Sequence, residues 1–232
     1  MKRFYREVSL QPGAAGFELL LDRRPARTPG KRPLLLPGPA LAEAVAEEWR
    51  RQGEEVRPET MPLTQLACTT LDITQPREAA LQAELAAYGA TDLLCHRAER
   101  PPALAACQAA LWQPLLDWAA ETLSAPLAVT QGVIAVAQPP ASLEALAAAV
   151  RRHRGFRLTA LAELVRATGS LVLGLAVALD RLDAPAAFAA AELEETWQME
   201  LWGEDALAMQ RRARLAADVE AAARLLALVR SH

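Results

Sequence analysis

PGPALAEAVAEEWR, residues 37–50, is where the chain changes its period. Leu41, Val45 and Trp49 recur every four residues, with Ala44 and Glu48 beside them, which places an apolar stripe on one side of a helix. Pro39 suits the first turn of that helix, and Trp49 closes it. Before Pro37 the runs FYREV, GFELLLD, RRPARTP and RPLLLP read as short strands. Asp22-Arg23-Arg24 reads as a tight hairpin turn, and Pro12-Gly13, Pro29-Gly30 and Pro37-Gly38 as the other breaks. After Trp49 the pattern is helical almost throughout. Pro58 and Pro62 lead into a helix near Leu63, followed by helices at 77–89 and from Pro101-Pro102 through Trp112 and Trp118, where Pro114 kinks the helix or starts a new one. Further helices follow at 142–153, 157–168, 170–180, 184–201 and 204–229.

Two segments resist that pattern: TDLLCHRA at 91–98, a strand or extended connector, and the proline-bounded, β-branched stretch at 126–140. The fold class expected is α+β, with a small antiparallel β-rich domain over 1–60 and a larger, mainly α-helical domain over 61–232. The extended segments near 91–98 and 126–137 are free to join the first. No repeat of fixed period appears, which disfavours a solenoid.

Composition narrows the functional class. Of 232 residues, 52% are hydrophobic and 23% charged, so the chain can bury a core. Roughly a fifth of it is Ala, the best helix former. A net charge of −3 argues against nucleic acid, which demands clustered Lys and Arg. The near-neutral total is divided, however: Lys2, Arg3, Arg6, Arg23, Arg24, Arg27, Lys31 and Arg32 face only Glu7, Glu18 and Asp22 in the first strands. Such a set usually marks a solvated sheet face. Cys68, Cys95 and Cys107 are odd in number and form no C-x-x-C pair, as in a reducing cytosol. The longest wholly apolar run, Leu171 to Leu179, is half what a membrane helix needs, so no membrane insertion is expected. The amino terminus shows no secretory h-region and no Arg/Ser-rich presequence, which points to a bacterial or already processed cytoplasmic protein.

Catalytic motifs are missing from the sequence. It contains no phosphate loop, no dinucleotide fingerprint and no nucleophile elbow. Thr168-Gly169-Ser170 reads as a helix stop followed by an N-cap. His96, His153 and His232 lack metal-ligand spacing, and Cys95 beside His96 lies in an apolar run, where a buried thiol is inert. No cofactor and no metal are expected.

The segment AELEETWQMELWGED, residues 191–205, holds Glu192, Glu194, Glu195, Glu200, Glu204 and Asp205 without a single basic residue. Nothing at helical spacing offsets their repulsion, so something outside the segment answers it. Leu193, Trp197 and Leu201 form an apolar ridge, Glu194, Gln198 and Trp202 the adjacent one, and Gly203 ends the helix. Glu194 and Gln198 either hydrogen-bond within the chain or belong to an acidic, Trp-flanked surface for a partner bearing Arg or free N–H groups.

The series RFYREV, LDRRPARTP, EEW, MPLTQLACTTLD, TDLLCHRA, WQPLLDWA, TGSLVL and LEETWQMELWGED resembles, in order from about residue 3 to residue 230, the family of assembly chaperones for the F1 sector of ATP synthase that act on its alpha subunit. The resemblance implies a non-catalytic, monomeric protein with a small α+β amino-terminal domain and a helical carboxy-terminal one. It would bind the unassembled alpha subunit and shield its beta-facing interface until the hexamer forms. The family also uses an acidic residue of the carboxy-terminal domain, which implies Glu194 first, with Glu204 and Asp205 as alternatives; with Gln198 and Trp202 of the adjacent ridge they make up the expected client-binding set. Trp49 and Pro62-Leu63-Thr64 match family motifs, and like Trp197 they either bind or pack. Cys68, where relatives more often carry Asn, and Trp197, where a smaller aromatic is common, depart from the pattern. The alternatives are an acid–base hydrolase using carboxylates near Glu194 and Glu204, or a helical adaptor for another client.

Overall fold

A computed structural model of the chain describes residues 1–132 and 136–230. It has the expected α+β architecture, a small antiparallel sheet at the amino terminus followed by helices. The chain divides into two compact units, one of Met1–Glu78 with Arg154–Ala160 and the stretch from Arg224, the other of Ala79–His153 with Leu161–Ala223.

In the first unit, β1 (Val8–Gly13) pairs antiparallel with β2 (Gly16–Leu21), and β2 also pairs with β3 (Arg24–Pro25) and β4 (Leu35–Leu36). The expected hairpin turn is present: Asp22 and Arg23 both take positive φ, 49° and 65°, as a two-residue turn of that hand requires. The Asp22 carboxylate accepts the N–H groups of Arg6 and Glu7 at 2.9 and 2.8 Å, which lowers its pKa. FYREV is not a strand, and Pro12-Gly13 is not a turn. The strand begins at Val8 and runs through Pro12, because β1 pairs only with β2 and proline is tolerated on an edge.

Helix α1 (Pro39–Arg50) packs on this sheet through the buried Leu41, Ala42 and Val45. Glu48, buried on the same helix, accepts hydrogen bonds from the N–H groups of Leu63 and Thr64 and from Thr64 Oγ1, at 2.7–2.8 Å. It thereby supplies the acceptors missing at the start of α2 (Pro62–Thr69), whose own N-cap residue provides none. The helix then widens into a π-helical turn at Thr70–Thr74. Asp72 within that turn accepts from Thr28 Oγ1 at 2.7 Å and from Gly30 N–H at 2.8 Å. A Cβ at Gly30 would lie 2.6 Å from the Asp72 carboxylate, so a larger residue there would push Asp72 out of these hydrogen bonds.

In the second unit, α3 (Glu78–Ala87) leads to a short parallel pair, β5 (His96–Arg97) with β6 (Thr130–Gln131). Both lie in the segments expected to be extended, but most of the first is not: Tyr88–Thr91 and Leu93–Cys95 are 3-10 turns, and only His96–Arg97 pair as a strand. Residues 133–135 of the second segment fall outside the described residues, as does His232. Pro114 neither ends nor restarts its helix: α4 (Pro102–Leu123) runs continuously through it. α5 (Pro140–Arg151), α6 (Gly155–Thr168), α7 (Leu171–Ala178), α8 (Ala184–Ala191), α9 (Leu193–Trp202) and α10 (Ala206–Arg230) complete the chain. α7 is buried on all sides, and Gly174 lets it approach α6, since a Cβ there would meet Val165 at 2.6 Å. Gly169 and Ser170 act as stop and N-cap: Gly169 has φ 66°, and the Ser170 hydroxyl accepts from Leu173 N–H.

Asp92, fully buried, accepts from Ser170 Oγ at 2.7 Å, Val172 N–H at 3.0 Å and Leu94 N–H at 3.1 Å. Burial pushes its pKa up against those donors. On α6, burial and then the Asp218 carboxylate raise the Glu163 pKa. Because the folded value exceeds the unfolded one, ionisation of Glu163 erodes stability as pH rises through the folded pKa. Glu163→Gln is therefore expected to raise the melting temperature at pH 8, with the gain vanishing at acid pH where both forms are neutral; thermal melts across pH check it.

Candidate functional site

The helix expected at 184–201 is two helices. Glu192 takes φ −100° and ψ 18°, ending α8, and α9 starts again at Leu193. The break has a distant cause. Arg212 of α10 donates to the Glu192 carboxylate at 3.1 Å, to the Glu192 carbonyl at 3.4 Å and to Thr196 Oγ1 at 3.0 Å, and its guanidinium lies over the Phe188 ring. This is the external answer to the acidic segment's charge, and Arg212 was not identified from the sequence. The signal available was a lone acidic run followed by the basic stretch of α10; periodicity does not say which Arg turns back.

Glu194 is held as well. Gln108 on α4 is fully buried; its Oε1 accepts from Ala98 N–H at 2.7 Å, and its Nε2 donates to Glu194 Oε1 at 2.5 Å. TDLLCHRA, α4 and LEETWQ thus meet through one amide. Beneath them Trp112 donates from Nε1 to the Ala190 carbonyl at 2.8 Å, with Arg97 stacked 5.1 Å from its ring. Leu93, Trp118, Leu182 and Leu193 pack around the buried cluster of Leu94, Cys95, Trp112 and Val172. Burial pushes the Cys95 thiol up to about 12, which makes it an inert core residue.

The ridges of α9 are less buried than expected. None of its residues is fully buried; Trp197 is half-buried, and Leu201 and Trp202 are 58% and 78% exposed. Trp197 lines a groove of about 390 Å³ together with Cys107, Phe188, Leu193, Glu200 and Arg212. Its indole N–H is buried there with no acceptor among the described residues. Gln198 is exposed and makes no hydrogen bond among the described residues.

Past Gly203 the exposed apolar surface continues with Leu207, 74% exposed, and Met209. Asp205 caps α10 by accepting from Ala208 N–H at 2.8 Å. Glu195, Glu200 and Glu204 form no ion pair or hydrogen bond among the described residues. The client-binding set expected from sequence therefore separates into anchored carboxylates, Glu194 and Asp205, and exposed residues, Gln198, Trp202 and Glu204, near the exposed Leu201 and Leu207 in the chain.

The other motif residues fall in the first unit. Leu63 and Thr64 are buried beneath Glu48, and Pro62 is exposed in the first turn of α2. Trp49 is half-buried, edge-on to Tyr5 at 5.5 Å, and its carbonyl accepts the Tyr5 hydroxyl at 2.7 Å. No group of three or more His, Cys, Asp or Glu among the described residues could hold a metal ion. No helix of the described residues is long and apolar enough to cross a membrane.

Comparison with known proteins gives a consistent result. The family model of the ATP12 chaperone protein matches residues 2–120. Among solved structures, Atp12 from Paracoccus denitrificans is 46% identical with a TM-score of 0.94, over 98% of this chain and 97% of that one. An Asp-to-Lys mutant of the same protein matches with 46% identity and a TM-score of 0.93 over the same shares. A protein of Agrobacterium tumefaciens described as a candidate chaperone is 38% identical with a TM-score of 0.94, over 98% of this chain and 86% of that one. The motifs, the fold and these matches agree, and the chain belongs to the ATP12 chaperone protein family.

Proposed function

We propose that the protein is a non-catalytic, cytoplasmic chaperone for assembly of the F1 sector of ATP synthase, binding the unassembled alpha subunit as a monomer. The observation that carries this reading is the junction of α9 and α10, where Leu201, Trp202 and Leu207 stand exposed in a stretch that also holds Glu195, Glu200 and Glu204, whose side chains form no ion pair among the described residues. Exposed large apolar groups collected at one place mark an interaction surface. Aromatic anchors supply contact energy, and free carboxylates orient a partner rich in Arg or in unpaired N–H groups. A small patch suits a client that must later be surrendered to its beta neighbour.

The geometry favours this over a two-carboxylate hydrolase. Glu194 is tied to Gln108, while Glu204 lies exposed beyond the end of α9, and the groove beside Trp197 is lined by neither. General acid–base chemistry needs groups that converge on one substrate. Capture of the tagged full chain from its own host is expected to enrich the ATP synthase alpha subunit. Enrichment of a metabolic enzyme, or of no partner, would contradict the proposal.

A further inference from the structure

The first unit carries a second surface, of opposite charge. A groove of about 610 Å³ runs between the amino-terminal stretch, the hairpin turn and the end of α1, lined by Phe4, Tyr5, Arg24, Pro25, Arg27 and Trp49 among others. Its floor is a row of rings: Phe4 sits edge-on to Tyr5 at 5.4 Å, and Tyr5 edge-on to Trp49 at 5.5 Å. Phe4 is 61% exposed, a large apolar side chain left in water. The Trp49 indole N–H has no acceptor among the described residues.

The rim is cationic, with Asp22 as its one acidic side chain. Arg24 and Arg27 are exposed, and neither forms an ion pair among the described residues; the only hydrogen bond from the Arg27 guanidinium goes to the Lys31 carbonyl at 2.9 Å. Asp22 accepts the backbone N–H groups of Arg6 and Glu7 through Oδ1 and interacts electrostatically with Arg6 and Arg24, so one negative charge stands against both rim arginines. Lys2, Arg3, Arg6 and Arg23 lie in the same stretches of chain, so the local field is positive although the whole protein is net negative.

We propose that this groove docks an extended acidic segment of a protein partner, with carboxylates between Arg24 and Arg27 and an apolar side chain against Phe4 and Trp49. Charge complementarity selects the occupant: planar guanidiniums match carboxylates in pairs, and the ring floor rewards an aromatic or aliphatic neighbour, which a bare polyanion lacks. All the residues that line the groove belong to the first unit.

The test is fluorescence anisotropy of a fluorescein-labelled peptide of alternating Glu and Phe, titrated with the full chain. Saturable binding is expected, weakening as salt is raised, with no binding of the same peptide carrying Lys for Glu. Arg24→Glu combined with Arg27→Glu is expected to reduce affinity by about tenfold or more with the thermal melt unchanged, and Phe4→Ala to reduce it by a smaller factor. Absence of peptide binding to the wild type overturns the proposal. So does undiminished binding by both variants, or tighter binding of an oligonucleotide or of phosphatidylserine vesicles than of the peptide.

Discussion

Asp92→Ala is expected to cost about 3–5 kcal/mol of folding stability, enough to unfold much of the second unit under mild denaturant. The reason is an asymmetry of buried polar groups. With the carboxylate gone, Ser170 Oγ and the N–H groups of Leu94 and Val172 remain buried without their acceptor, and no water-filled surface is near to replace it. Asp183→Ala provides the comparison. Asp183 also caps a helix, accepting from Ala186 N–H at 2.8 Å, but it is exposed, so water takes over and the loss is about 1 kcal/mol. Urea midpoints of the two variants, at unchanged slope, should separate clearly. Equal small losses would show that Asp92 is not the anchor of TDLLCHRA and TGSLVL.

The second large effect concerns the client. Trp202→Ala and Leu207→Ala remove side chains that are 78% and 74% exposed, so folding stability is expected to stay within about 0.5 kcal/mol of wild type. An aromatic anchor of an interface is worth about 2 kcal/mol or more, so losing Trp202 alone should weaken alpha-subunit binding by roughly 30-fold. These probes are cleaner than charge reversal at Glu194. On sequence grounds Glu194→Lys leaves the fold intact and weakens the client contact. In the structure it would also strip Gln108, a fully buried amide, of its acceptor and confuse the two effects.

Features whose cause lies within a few residues were legible in the sequence. The turn at Asp22-Arg23, the stop at Gly169, the N-cap at Ser170 and the stripe of α1 are all of that kind. Features set by contacts distant in sequence were not. Nothing near Glu48 says that it completes α2, 15 residues on, and nothing near Asp92 says that it caps α7, 80 residues on. The break at Glu192 likewise depends on Arg212, 20 residues later. Resemblance to the chaperone family marked EEW, MPLT, LACTTLD, TDLLCHRA and TGSLVL as segments. The structure supplies the reason: Glu48 and Asp92 each close a helix belonging to another of those motifs, and Asp72 closes the loop of LDRRPARTP at Thr28 and Gly30.

The same accounting divides the acidic segment that first drew attention to a partner. Glu192, Glu194 and Asp205 hold α8, α9 and α10 in place, while Glu195, Glu200 and Glu204 are left for solvent or client. Sequence spacing could not make that division, because the anchored Glu194 and the free Glu195 are neighbours on one helix. Trp202 and Leu207, at the end of α9 and the start of α10, are likewise large apolar residues that face water rather than a core.

The central claim is tested most directly by titrating isolated ATP synthase alpha subunit with the full chain and with its Trp202→Ala/Leu207→Ala double variant, after thermal melts have shown that both are equally folded. A saturable complex with the wild type and an affinity lower by about 30-fold or more for the variant is the predicted result. Binding of the alpha subunit with equal affinity by both proteins would contradict it.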